Sequence, residues 1–129
     1  MIVLDTHAWL WWMSDPKRLS RPATKALAEA TSIGVSTLSA WEIAMLTVRK
    51  RITLDRDAGL WVRQALAQPL MQALPPSPEV AVEAALLDAR RFPGDPVDRL
   101  IYATARAMRA PLITRDEAIR AFDPVTTLW

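Results

Sequence analysis

Short apolar runs alternate with helical segments along the whole of this chain, and few folds accommodate that pattern. Met1 to Thr6 reads as a buried strand: short, apolar and closed by polar residues. Ile33-Gly34-Val35-Ser36, Met71 to Leu74, Leu112 to Thr114 and Val125 to Trp129 read as further strands. Between them the periodicity predicts helices over about Ala8–Met13, Ser20–Ala30, Thr37–Arg49, Asp57–Ala67, Ser77–Leu87, Asp95–Arg109 and Glu117–Phe122. Ser20 with Pro22, Ser77 with Pro78 and Asp95 with Pro96 are pairs of a cap residue and a first-turn proline. Ser14-Asp15-Pro16 breaks the first helix, and Phe92-Pro93-Gly94 is a turn.

Strands separated by helices pair in parallel, with helices on both faces. The predicted class is therefore α/β: a three-layer α/β/α sandwich around a central parallel sheet of about five strands. At 129 residues the chain is most simply one domain, spanning residues 1–129, with a real core. It shows no internal repeat, linker or low-complexity segment. Trp9, Trp11, Trp12, Trp41, Trp61 and Trp129 read mainly as core.

In such sheets ligands bind beyond the carboxyl ends of the strands, where strand order reverses. Four acids fall where this fold would gather them. Asp5 ends the first apolar run, and Glu42 lies early in the helix after the second strand. Asp98 stands near the start of its helix, so it reaches the crevice only if that helix begins there. Asp116 follows the fourth strand. Each has a local alternative. Ser39-Ala40-Trp41-Glu42 fits a capping box, Asp95 can cap the helix with Asp98 at its third position, Asp116 can cap the next helix, and Asp5 can be a turn acid. Capping explains why an acid occurs, but not why four should converge.

A carboxylate beside a core costs several kcal/mol unless it is paired, hydrogen-bonded or bound to a cation. Four drawn together repel, and hard divalent cations resolve the repulsion. Oxygen-only ligation matches Mg²⁺ or Mn²⁺, which leave positions open for phosphate oxygens and can activate water for in-line phosphodiester hydrolysis. No side-chain nucleophile is then needed. With no cysteine, disulfides, thiolate zinc sites and cysteine nucleophiles are excluded. The single histidine, His7, falls on the Asp5 face if the strand continues, but zinc needs three or four nitrogen or sulfur ligands. The three glycines are isolated, which disfavours a phosphate-cradling loop. No lysine follows Lys50, as a receiver domain would require, and no second aspartate lies two residues after Asp5, as haloacid-dehalogenase chemistry would.

The net charge is +2, with sixteen basic and fourteen acidic side chains, and arginine outnumbers lysine thirteen to three. If the acids converge in a pocket, the remaining surface is more cationic than +2 implies. Arg49-Lys50-Arg51 and Arg90-Arg91 are the candidate phosphate-binding patches, and they read equally well as solvated faces. The N-terminus lacks the basic region of a secretory signal, and the longest apolar stretch is too short to cross a bilayer. A soluble, cytoplasmic protein with no membrane association is expected.

Asp5-Thr6-His7-Ala8-Trp9-Leu10 resembles the opening of PIN-domain ribonucleases of the VapC toxin type. Ser39-Ala40-Trp41-Glu42-Ile43-Ala44, Asp95-Pro96-Val97-Asp98-Arg99-Leu100-Ile101 and Leu112-Ile113-Thr114-Arg115-Asp116 are similar to its later motifs, in the same order. Thr127-Leu128-Trp129 looks like the close of its last strand. The resemblance implies that Asp5, Glu42, Asp98 and Asp116 are the catalytic, metal-binding acids, with Thr114 a hydroxyl neighbour. Asp95 and Asp98 could both face the metals; Asp98 is assigned as the ligand because Asp95 already has a role ahead of Pro96. The resemblance further implies a PIN-like fold, a Mg²⁺- or Mn²⁺-dependent endoribonuclease, an RNA substrate, a homodimer and a cognate antitoxin that blocks the site. The rival is a non-catalytic PIN-like module that binds RNA or protein, but a degenerate member would be expected to lose one or more of the acids.

Overall fold

The computed structural model describes every residue from Met1 to Trp129. Five strands, β1 (Ile2–Leu4), β2 (Ile33–Ser36), β3 (Met71–Leu74), β4 (Leu112–Ile113) and β5 (Thr127–Leu128), form one sheet in the order β3-β2-β1-β4-β5. Every pairing in it is parallel. Seven helices connect the strands: α1 (Thr6–Ser14), α2 (Arg21–Glu29), α3 (Thr37–Val48), α4 (Ala58–Leu66), α5 (Pro78–Leu86), α6 (Pro96–Ala107) and α7 (Glu117–Phe122). The predicted α/β/α sandwich with a parallel sheet is the fold the chain adopts.

The period-two geometry of a strand explains the layers. Ile2 and Leu4 of β1 enter one core with Trp9, Leu27, Ile43 and Trp61, contributed by α1, α2, α3 and α4. Val3 enters the other with Val80, Ala84, Ile101 and Ile119 of α5, α6 and α7. β1 is thus buried on both faces, and each fully buried aliphatic side chain contributes about 1.5–3 kcal/mol. From β1 the chain moves outward through β2 to β3, then returns to place β4 on the other side of β1. Strand order therefore reverses between β1 and β4. Asp5 follows one of these strands and Thr114 the other.

β1 is shorter than the apolar run suggests. Asp5 keeps extended backbone (φ −66°, ψ 159°), and its Oδ1 accepts the Thr6 N–H at 2.7 Å, so α1 begins at Thr6. His7 consequently sits on α1, exposed, and shares no strand face with Asp5. A 3-10 turn over Pro16–Arg18 follows α1, where the sequence pattern shows only a break. The caps at Ser20, Asp57, Ser77, Asp95 and Asp116 each accept a first-turn N–H from their own helix.

The capping box at Ser39 does not form. Ser36 caps α3 instead, its Oγ accepting the Leu38 N–H at 3.2 Å. Ser39 is buried inside the helix, where its hydroxyl accepts from Thr6 Oγ1 at 3.0 Å. Glu42 is thereby freed from any capping duty. Trp41 also departs from expectation. Ser39 and Ile43 take the inward face of α3, and Trp41, two residues from each and so about 200° round the helix, stands 53% exposed. Trp9, Trp11 and Trp61 are buried as expected, while Trp12 and Trp129 are half-buried.

Tyr102 of α6 ties the second core to the turn before β5. Its hydroxyl donates to Asp123 Oδ2 at 2.7 Å, and the same carboxylate accepts the Val125 and Thr126 N–H groups. Burial, and then the Asp123 carboxylate, push the Tyr102 hydroxyl up to about 12. Tyr102→Phe is expected to cost about 1 kcal/mol, read as a lower urea midpoint; an unchanged midpoint would show that the bond contributes nothing net. No helix of the chain is long and apolar enough to cross a membrane.

Candidate active site at the strand switch point

A cleft of about 740 Å³ opens over the carboxyl ends of β1 and β4, lined by Asp5, Glu42, Asp95, Asp98 and Asp116. All four acids singled out in the sequence therefore face one space, and Asp95 joins them. Glu42, Asp95 and Asp98 are the tightest group, each offering a carboxylate oxygen within 4.8 Å of the others. Asp5 and Asp116 stand on the same cleft outside that triad.

Asp5 is held from both sides. Its Oδ1 accepts the Thr6 N–H, and its Oδ2 accepts Thr114 Oγ1, also at 2.7 Å. The fully buried Thr114 hydroxyl in turn accepts the Asp116 N–H at 3.1 Å, so one residue positions the acids at two strand ends. Burial raises the Asp5 carboxyl above its ordinary value, the two hydrogen bonds oppose the rise, and the Asp116 charge adds to it. Glu42, in the second turn of α3, is raised by burial and then by the charges of Asp5 and Asp95.

Asp98 is strongly perturbed as well. It occupies the third position of α6, which runs back toward β4 and so begins at the carboxyl edge of the sheet. Asp95 Oδ1 accepts the Asp98 N–H at 2.9 Å, and Asp98 Oδ2 accepts the Asp95 N–H at 3.1 Å, a reciprocal capping box. Burial first, then the charges of Asp5, Asp95 and Glu42, push the Asp98 carboxyl up to about 7. The cap and the cleft are not alternatives here: one oxygen of Asp95 closes the helix end while the side chain remains in the acidic group.

Gly94 is the tightest point of this arrangement. A Cβ there would lie 2.5 Å from Asp98 Cβ and 2.6 Å from Phe92 Cε1, distances real side chains do not adopt. The backbone also offsets the crowded charge. α1, α6 and α7 all start at the cleft with an aspartate as N-cap. Each helix N-terminus carries roughly half a positive charge. The local reading of Asp95 and Asp116 as caps is thus realised, Asp5 is a cap where a turn acid was the local alternative, and the three caps aim positive helix ends at the cleft.

The cleft also carries cationic groups. Arg18, Arg51 and Arg115 line the cleft with His7 and Trp11. Of the two predicted basic patches only Arg51 reaches it. Lys50 and Arg91 instead adopt left-handed backbone (φ 55° and 56°) just beyond α3 and α5, a local role at helix ends. Arg18 and Arg115 are not singled out by the sequence pattern. Asking what lies between Thr114 and Asp116 would find Arg115, but Arg18 gives no signal until the 3-10 turn brings it beside Trp11.

This fold, with acids gathered at the switch point, is that of a PIN domain, and the family model described as PIN domain matches residues 2–124. Ribonuclease VapC22 of Mycobacterium tuberculosis (strain ATCC 25618 / H37Rv) is 38% identical over 120 residues, which cover 93% of this chain and 90% of that one. The chain belongs to the VapC-type PIN-domain family. Among solved structures, a toxin–antitoxin complex from Klebsiella pneumoniae superposes with a TM-score of 0.71 at 21% identity, covering 100% of this chain and 97% of the other. VapC20 of Mycobacterium tuberculosis, described as a sarcin-ricin loop cleaving toxin, gives 0.70 at 16% identity, covering 95% of each chain. At these identities the two structures speak for the fold alone.

Proposed function

We propose that this protein is a metal-dependent endoribonuclease that hydrolyses RNA phosphodiester bonds and serves in the cytoplasm as the toxin of a toxin–antitoxin pair. The observation that carries the reading is the grouping of Glu42, Asp95 and Asp98 within 4.8 Å, with Asp5 and Asp116 on the same cleft. The named activity of its ribonuclease relative supports it. Residues 1–129 act as one PIN-like unit. The rival reading as a binding module without catalysis gains nothing from a cleft whose acids are all present.

The donor set fits a hard divalent ion: every candidate ligand is a carboxylate oxygen, and the burial and mutual repulsion that raise Asp98, Glu42 and Asp5 are what a cation would offset. Asp5, Glu42, Asp98 and Asp116 are the proposed ligands of Mg²⁺ or Mn²⁺, with Asp95 as a further one. When bound, the ion supplies charge neutralisation and activation of water for hydrolysis. The chain's own part is positioning. Thr6 and Thr114 fix both oxygens of Asp5, the Asp95 N–H orients Asp98, and three helix N-termini hold the basin together. The direct test is cleavage of single-stranded RNA with Mn²⁺, abolished by EDTA and restored by excess Mn²⁺. Cleavage that survives EDTA, or none with Mn²⁺, would retire the proposal.

A proton and the cation compete for Asp98. Mn²⁺ affinity is expected to rise up to about tenfold per pH unit below about pH 7, then level off. Calorimetry in buffers of different ionisation heat should detect proton release near pH 6 and little near pH 8; equal release at both would contradict the assignment. Stability follows the same shift. The folded value of about 7 lies above the ordinary 3.8, so stability from this group is full below 3.8 and is lost as pH rises through about 7. The melting temperature of the metal-free protein should fall over that window and recover on adding Mn²⁺.

An antitoxin and a second copy of the chain are the proposed protein partners. A toxin–antitoxin complex among its structural relatives supports the antitoxin. The exposed Trp41 and Val48 of α3 provide an apolar surface for one of them.

A further inference from the structure

We infer that Arg18 and Arg115, stacked on the indole of Trp11, form a two-pronged clamp for the phosphates of an RNA strand entering the cleft. The inference rests on the ribonuclease reading and specifies which residues hold its substrate. Arg18 Cζ lies 4.2 Å from the Trp11 ring centroid and Arg115 Cζ 5.3 Å from it. Trp11 itself is buried, packed on Trp129 at 5.9 Å, so it is a fixed platform and not a base-stacking surface. Arginine stacked on an aromatic ring commits the face of its guanidinium and keeps the edge N–H groups free for bidentate bonding to phosphate.

Two like charges on one ring repel, and neither arginine is held in a salt bridge. The only ion pairs are Arg56 with Asp55 and Arg99 with Asp88. Both arginines are exposed, and both line the cleft that holds the acids. Arg115 is also fixed in sequence between Thr114, which binds Asp5, and Asp116. A strand held by this pair therefore passes along the acidic basin. A polyanion suits the position because it carries phosphates in series, one for each prong, and its charge offsets the unpaired guanidinium groups. Six carboxylates line the cleft, Asp15 among them, and would repel it, so the clamp supplies the attraction that the acids oppose until a cation binds.

The experiment measures binding of a fluorescein-labelled single-stranded RNA by anisotropy in Ca²⁺, at several salt concentrations, and cleavage in Mn²⁺. Arg18→Gln with Arg115→Gln is expected to weaken binding about tenfold or more. It should flatten the salt dependence by about 1.4, since every phosphate of a single strand that is no longer neutralised lowers the slope by roughly 0.7. KM should rise with kcat within about twofold. Arg18→Lys should restore the salt slope but not the full affinity, which a merely structural role would not produce. Arg90→Gln with Arg91→Gln, outside the cleft, should change neither. A folded double variant with unchanged affinity and salt slope overturns the clamp and turns attention to an acidic protein segment as the occupant. Failure of the unsubstituted protein to cleave RNA would count against the nuclease reading alone, because binding is measured separately.

Discussion

Asp5→Asn is expected to reduce RNA cleavage by more than about 100-fold while leaving the metal-free protein at least as stable as before. The two effects have one cause. The amide keeps the shape of the side chain: its oxygen can accept the Thr6 N–H, and its NH₂ can donate to Thr114 Oγ1, reversing the present bond. What it removes is a charge that burial already disfavours and that raises Asp98 and Glu42 in turn. Loss of that charge relaxes the basin and weakens its hold on a cation. Thermal melts without metal, Mn²⁺ titrations and cleavage rates on the same preparation check all three. A variant that melts lower and still cuts RNA would show that Asp5 is a structural acid.

Gly94→Ala is expected to weaken Mn²⁺ binding and cleavage by about tenfold or more, and unlike Asp5→Asn it should also destabilise the protein by about 1–3 kcal/mol. The added methyl meets Asp98 Cβ at 2.5 Å and the Phe92 ring at 2.6 Å. Neither neighbour yields easily. Asp98 is anchored in the first turn of α6 by its reciprocal bonds with Asp95, and Phe92 packs edge-on against Phe122 in the core. The strain must therefore move the start of α6, and Asp98 with it. Urea denaturation gives the stability change and calorimetry the Mn²⁺ affinity. Unchanged affinity in a destabilised variant would mean that Gly94 positions the helix but not its carboxylate.

The alternation of strands and helices was legible because caps and prolines punctuate it: Ser20, Asp57, Ser77, Asp95 and Asp116 all cap helices where the pattern places them. The end of β1 was not, because an N-cap residue has the same extended backbone as a strand, and only the Asp5 to Thr6 bond separates them. At α3 the pattern offered Ser39 as the cap, whereas Ser36, read as the end of the second strand, takes that role. The choice of Ser36 follows from burial of Ser39 against Thr6, an approach across 33 residues that no local pattern encodes. The acids of the cleft were readable from their places at element ends. Asp95 is the ambiguous one, because a carboxylate has two oxygens and sequence cannot assign them separately. The Arg18–Trp11–Arg115 stack joins a 3-10 turn, a helix and a strand end, and depends wholly on tertiary placement.

The bond between Thr114 and Asp5 spans 109 residues, and β4 docks beside β1 only after everything between has been made. β1, β2 and β3, with α1 to α4 packed over one face, precede α6, β4 and α7 in the chain. Protein synthesis runs from the N-terminus, and early segments can collapse before later ones emerge. A ribosome-bound precursor would therefore hold Asp5 and Glu42 but no complete ligand cage. The order of its strands thus leaves the acidic cleft unfinished until α6 and β4 have been made.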